Sequence, residues 1–319
     1  MPCIDMPLEE LKNYKGINPK PADFDEYWDK AIAEMESIDP QIEIKEADFQ
    51  GINSACYDLY FTGAHGARVH CKYALPRKYE GKLPMVLMFH GYSGKSPEFD
   101  SLLRFTGEGY AVLALDARGQ AGESEDNTHT MGNTLHGHII RGLEDDDPEN
   151  LYFRQVFLDT AQVAKIAHDM EHIDSDRIYA TGGSQGGALT VSCIALSPYV
   201  KKAVPIYPFL SDYKRVWDMD MDMRAYAELR THFRNFDPNH VREDEIFTKL
   251  GYIDLHHLAP RIKTEVRMLT GLMDDVCPPS TQFAIYNNMT CKKDMVLYPD
   301  FAHEGLPKSE LIIMEFFRD

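Results

Sequence analysis

Between Tyr179 and Thr190 the chain reads YATGGSQGGALT, one serine with two glycines on either side, preceded by an apolar run. Residues Gly182 to Gly186 match G-x-S-x-G, the sharp strand-to-helix turn that lifts a nucleophilic serine above a sheet. A serine held there adopts a strained backbone, and side chains two positions away on either side would collide with the neighbouring strand and helix. Gly182 and Gly186 therefore provide clearance, while Gly183 and Gly187 allow close approach of helix and substrate. The competing reading, a glycine-rich loop with an incidental serine, is decided by the rest of the chain.

A serine hydroxyl attacks only when a base takes its proton, and the base needs an acid to orient it. Where the nucleophile sits on such a turn, the chain order is serine, acid, histidine. EVRMLTGLMDDVCPPS places Asp274 just after an apolar strand, and MVLYPDFAHEG places His303 in the loop after the next. Asp275 competes for the acid role but stands one residue farther from the strand. The oxyanion of an acyl-transfer intermediate also needs donors. Two backbone N–H groups are in position, that of Gln185 at the positive end of the following helix and that of Tyr92 after His90-Gly91. Ser184, His303 and Asp274 would then carry out acyl transfer.

These residues must be held by a scaffold, and the apolar pattern supplies one. The runs PMVLMFHG, YAVLALDARG, RIYATGG, KAVPIYP, EVRMLTGLMDD and DMVLYPD are short, nearly continuous in apolar residues, and mostly separated by helical segments. Such strands form a buried, mostly parallel sheet flanked by helices, here an α/β-hydrolase fold. Upstream, ACYDLYFTG and RVHCKYALP around AHGA predict an antiparallel hairpin. Asp23 to Ile38 carries Phe24, Trp28, Ile32 and Met35 at helical spacing, which makes residues 1–50 a helical N-terminal extension. From 210 to 261 two helical stretches occur with no strand between them, a helical lid inserted into one domain spanning 1–319.

Of 319 residues 44 % are hydrophobic, enough to fill a large core. Lys and Arg total 33 against 51 Asp and Glu, a net charge of −18 that excludes nucleic acid and anionic membranes as partners. A neutral or cationic small molecule is the expected partner. Six scattered cysteines without CxxC spacing read as reduced, mostly buried thiols. The acidic start MPCIDMPLEELKNYKG does not resemble a signal peptide, and no run is long enough to span a bilayer, so a cytoplasmic location is expected. His136 and His138 lack a third ligand at helical spacing and do not predict a metal site. DMDMD begins like a calcium loop but places Met223 where glycine is needed and Leu229 where glutamate is needed.

With these residues placed, the chain resembles carbohydrate esterase family seven, the acetyl xylan esterases and cephalosporin C deacetylases. The resemblance covers essentially the whole length. It rests on HGYSG (90–94), RGQ (118–120), HGHIIRGLED (136–145), GGSQGG (182–187), GLMDDVCPPSTQFAIYN (271–287) and HEG (303–305). It implies Ser184 as nucleophile, His303 as base, Asp274 as acid, and Tyr92 and Gln185 as oxyanion donors. It also implies deacetylation of xylo-oligosaccharides and cephalosporins without cofactor, by cytoplasmic hexamers whose active sites face an internal cavity. Arg118, in the RGQ motif with Gly119 and Gln120, reads as a structural clamp on loop carbonyls or carboxylates, with Glu304 as its partner. The lid departs from the family, since VWDMDMDMRAY is unusually acidic and rich in methionine, and this bears on acyl-pocket size. Two rivals remain, a prolyl-oligopeptidase-like peptidase and a hydrolase-fold binding protein without catalysis. The first normally carries a large propeller domain before the hydrolase, and the second usually lacks a triad member.

Overall fold

The computed structural model describes residues 4–132 and 137–318, and within them nine strands form one sheet. The strands are β1 (Glu43–Glu46), β2 (Ser54–Thr62), β3 (Arg68–Pro76), β4 (Leu83–Phe89), β5 (Ala111–Leu115), β6 (Ile173–Gly183), β7 (Lys202–Ile206), β8 (Glu265–Gly271) and β9 (Lys293–Tyr298). Their order across the sheet is β1-β2-β3-β5-β4-β6-β7-β8-β9. β1, β2, β3 and β5 pair antiparallel with one another in turn, whereas every pairing from β5 through β4 to β9 is parallel. The expected hairpin is β2–β3, turned through Gly63 to Ala67 with His65 at φ 56°.

Helices cover both faces, and this is why the central strands are apolar throughout rather than alternating. β5 is buried at every position, and β4 at all but Pro84. Six helices matter for the site, α1 (Phe24–Glu36), α2 (Tyr152–Asp169), α3 (Gln185–Leu196), α4 (Tyr213–Asp218), α5 (Ala227–Phe236) and α6 (Glu243–Leu250). All 12 residues of α3 are buried. Its sequence QGGALTVSCIAL has no polar stripe because no face of it meets water.

The span 1–50 is not helical throughout, since it ends in the edge strand β1, whose residues EIKE are all exposed. The sequence carries no sign of that strand, because an edge exposed on both faces needs no apolar alternation. The span 210–261 holds α4, α5 and α6 with no strand among its residues. Its base is clamped by the N-terminal arm, where Asp212 accepts hydrogen bonds from Tyr14 Oη (2.7 Å), Ile17 N (3.0 Å) and Asn18 N (2.9 Å). The DMDMD acids are not arranged as a cation loop. Asp222 is fully buried and pairs with both Nε (2.8 Å) and Nη2 (2.5 Å) of Arg230.

Candidate active site

Ser184 stands between β6 and α3 with φ 58° and ψ −120°, a strained backbone for a residue with a side chain. Neighbouring main chain holds it there. Its N–H donates to Ile206 O (3.0 Å) and its carbonyl accepts from Phe209 N (3.1 Å). The glycines are required by space. A Cβ on Gly182 would lie 2.6 Å from Phe89 O, one on Gly186 2.1 Å from the same oxygen, and one on Gly187 2.6 Å from Ile206 O. Gly187 thus permits α3 to press against β7. Gly183 is the least constrained, meeting only the Tyr207 ring at 3.3 Å.

Ser184 Oγ lies 3.0 Å from His303 Nε2, and His303 Nδ1 lies 2.9 Å from Asp274 Oδ2. An ionised carboxylate only accepts, so Nδ1 carries the proton and Nε2 is left free to accept from the serine hydroxyl. Asp274 is fully buried at the end of the turn after β8, and its orientation is fixed by hydrogen bonds from Val276 N (2.9 Å), Cys277 N (2.8 Å) and Gln282 Nε2 (3.3 Å). Asp275 turns the other way, to Arg224 on the lid (2.8 Å). The Tyr207 ring packs against the imidazole with centroids 4.6 Å apart. Cys277 is also buried here, and burial pushes its thiol well up, so it stays protonated and does not compete as a nucleophile.

The loop expected to supply an oxyanion donor follows β4. His90 Nδ1 donates to Gly91 O (2.8 Å) and His90 Nε2 accepts from Ala117 N (2.9 Å), which fixes a neutral imidazole, and burial lowers its pKa in the same sense. Among the described residues neither Tyr92 N–H nor Gln185 N–H is donated to a protein acceptor. Gln185 does more than present its main chain. Its amide exchanges hydrogen bonds with Gln120 (2.8 and 3.0 Å), and Gln120 also reaches Tyr152 Oη (3.2 Å). Gly119 has φ +63°, where a side chain would strike Asp126.

Arg118 is a clamp, but its partner is not Glu304. Its guanidinium, wholly buried, binds Asp159 of α2 through two parallel bonds (Nε 2.7 Å, Nη2 2.6 Å) and donates to Ala64 O (3.1 Å). Glu304 is exposed and accepts instead from Ala302 N (3.1 Å), closing the loop that carries His303. Asp159 lies in the middle of a helix far along the chain, and no local pattern marks it. A second residue without a local signal is Asp116, at the end of β5. It accepts from His70 Nδ1 (2.7 Å), Ser96 N (2.6 Å) and Glu123 N (3.0 Å), which ties together the loops on both sides of the oxyanion segment. Burial opposes its charge, yet these donors outweigh burial and hold the carboxyl well below its ordinary range.

Among the described residues two side-chain groups bring three possible metal donors within 4.8 Å, Asp274-Cys277-His303 and Asp254-His256-His257. In each the carboxylate already holds a histidine, at 2.9 and 2.7 Å. His138 belongs to neither group and stacks on Tyr152 with centroids 4.9 Å apart. His136 lies outside the described residues, as does Cys3. Cys56, Cys71 and Cys193 are, like Cys277, free and buried, and Cys291 is free and half-buried. No helix of the described residues is long and apolar enough to cross a membrane.

The sheet and its strand-borne serine define an α/β-hydrolase, a fold this chain shares with α/β hydrolase GrgF from Penicillium sp. sh18 at 17 % identity (TM-score 0.56, 82 % of this chain and 96 % of that one). Nearer likenesses narrow the class. Residues 1–318 match the acetyl xylan esterase (AXE1) family model. Acetyl xylan esterase 1 from Thermoanaerobacterium sp. JW/SL YS485 is 54 % identical, with TM-score 0.96 over 98 % of both chains. Acetyl esterase Axe7A of Xylanibacter ruminicola is 26 % identical over 297 residues, 91 % of this chain, and this chain spans 65 % of that protein's length. The chain belongs to the acetyl xylan esterase family, and so to the carboxylic ester hydrolases.

Proposed function

We propose that the chain is a serine esterase that removes acetyl groups from acetylated xylo-oligosaccharides and related small acetyl esters, cephalosporin C among them. The observation that carries the reading is the continuous hydrogen-bond chain from Ser184 Oγ through His303 to Asp274. Ser184 Oγ attacks the acetyl carbonyl as its proton passes to His303 Nε2. Asp274 keeps the imidazole in the required tautomer and stabilises its positive charge. The carbonyl oxygen, now anionic, is received by the N–H groups of Tyr92 and Gln185. Collapse of this intermediate breaks the bond to the sugar oxygen, which leaves with the proton from His303. A water that gives its proton to the same Nε2 then attacks the acetyl-serine, and acetate departs as Ser184 regains its hydrogen.

The reading places this chemistry on a single domain, in a cytoplasmic hexamer, and the family resemblance supports that setting. A lid over a small acyl pocket favours acetyl over butyryl esters, because an extra methylene that does not fit meets packed atoms. The test is acetate release from acetylated xylo-oligosaccharide, acetylxylan, cephalosporin C and a p-nitrophenyl ester series. Acetate from the oligosaccharide, abolished in Ser184→Ala at unchanged Tm, is expected. Equal rates on polymer and oligomer would contradict a site facing an internal cavity, and a preference for butyryl would contradict the small acyl pocket.

A further inference from the structure

The side chain of Tyr92 is held by the lid. Its ring sits edge-on against His138 and Phe209, with centroids 5.3 Å away in both cases. Its hydroxyl donates in a short contact to Glu228 Oε1 and accepts from His138 N (2.7 Å). Glu228 lies in the first turn of α5, and its other oxygen accepts from Ile139 N (2.5 Å) and Ile140 N (3.3 Å). The main chain comes in so closely that a Cβ on Gly137, at φ +74°, would fall 2.1 Å from the Glu228 carboxyl.

This carboxyl is costly to keep. It is only 6 % exposed, and among the described residues no lysine or arginine pairs with it. Burial pushes it up to about 7 in spite of its hydrogen bonds. An apolar side chain would avoid that cost but leave the Tyr92 hydroxyl and the Ile139 and Ile140 N–H groups without their acceptor. Buried, unpaired carboxyls of this kind occur where function requires a particular acceptor.

We infer that Glu228 is a positioning residue for the oxyanion hole, fixing through the Tyr92 hydroxyl the main chain from which Tyr92 N–H is presented. The inference rests on the esterase reading above. The loop is held on its other flank by Ala117 N on His90 and by the Gln185 amide, whose contacts with His90 O (3.4 Å) and Gly91 O (3.5 Å) are long. Beyond Tyr92 the main chain is pinned at Gly94, whose N–H donates to Gly91 O (3.1 Å) and whose carbonyl accepts from Ala121 N (3.0 Å), and Glu228 grips the Tyr92 side chain between these points. An N–H aimed at an oxyanion acts in the transition state and not on the bound ester, so a loosened Tyr92 lowers kcat and leaves KM in place.

The test compares wild type, Glu228→Ala, Glu228→Gln, Tyr92→Phe and the double variant Tyr92→Phe/Glu228→Ala on p-nitrophenyl acetate, with Tm measured for each. Tyr92→Phe keeps the N–H and removes only the hydroxyl. We expect kcat to fall about 10- to 100-fold in Glu228→Ala and in Tyr92→Phe, with KM within about twofold. The double variant should be no worse than the poorer single one, because both changes cut one linkage. Glu228→Gln, whose amide can still bond the phenol and one N–H, should recover part of the loss. If Glu228→Ala does not fold, Glu228→Gln and Tyr92→Phe carry the comparison. Unchanged kcat in these variants, losses that multiply in the double variant, or a rise in KM equal to the fall in kcat would each overturn the inference. A wild-type protein that releases no acetate would instead overturn the esterase reading itself.

Discussion

Gly186→Ala tests the geometry of the elbow directly. The new Cβ would stand 2.1 Å from Phe89 O and 2.8 Å from Phe89 C, both main-chain atoms that cannot rotate away. Relief requires the start of α3 and the end of β4 to separate by about 1 Å, an overpacking that costs about 1–3 kcal/mol. β4 cannot yield alone, because Phe89 is paired in register with Gly182 of β6. The displacement reaches His90, Gly91 and Tyr92, which follow Phe89, and misplacing a catalytic donor by about 1 Å costs about 100-fold in rate. The expected result is a kcat on p-nitrophenyl acetate lower by about that factor, KM little changed, and Tm lower by a few degrees. Gly183→Ala is the internal control, since its Cβ would meet only a tyrosine ring that can tilt, and it should lose far less activity. The reasoning fails if Gly186→Ala keeps wild-type kcat, or if Gly183→Ala is the more damaged of the two.

Asp274→Asn should cost about 10⁴ in kcat, because an amide cannot hold the required imidazole tautomer, whereas Asp275→Asn removes only the contact with Arg224 and should cost little; steady-state rates decide, and the reverse order would move the acid by one residue. Asp159→Ala strands the buried Arg118 and should destabilise by about 3–5 kcal/mol, while Arg118→Met/Asp159→Leu should recover much of it, as read from urea midpoints. Asp116 has a lowered folded-state pKa, so its stabilisation is present above the unfolded carboxyl value of about 3.9 and is lost as pH falls below it. Asp116→Asn should therefore be less stable than wild type at pH 7 and show a shallower loss of stability below pH 4 in denaturant titrations, and parallel curves would contradict the assignment.

Ser184, His303 and Asp274 stood out as candidates because each follows a mostly apolar strand, whose end is where an α/β sheet displays its chemistry, and the structure brings their side chains within hydrogen-bond reach. The central strands β4 and β5 were legible for the same reason, being buried at nearly every position. What escaped was whatever depends on a partner distant in sequence. Arg118 is recognisable as a clamp, but nothing near it points to Asp159 within α2, and Glu304 attracted the assignment only by adjacency to the histidine. Glu228 looks like any acid on an amphipathic helix until the loop at 137–140 is laid over it. β1 is invisible because its residues face solvent on both sides. Gly187 was legible as a requirement for space, though the obstacle proved to be the carbonyl of Ile206 on the next strand.

The backbone of Ser184 also bears on the order in which the molecule is assembled. Its conformation, strained by about 1–3 kcal/mol, is sustained by Ile206 O and Phe209 N, which lie at and beyond the end of β7. A growing chain that has completed β6 and α3 but not β7 has nothing to hold the serine in place, and the residue relaxes to ordinary turn geometry. His303 arrives later still, some hundred residues downstream. The strained serine and its hydrogen bond to His303 therefore depend on strands that enter the sheet last, and neither can form in a chain that stops short of β7 and β9.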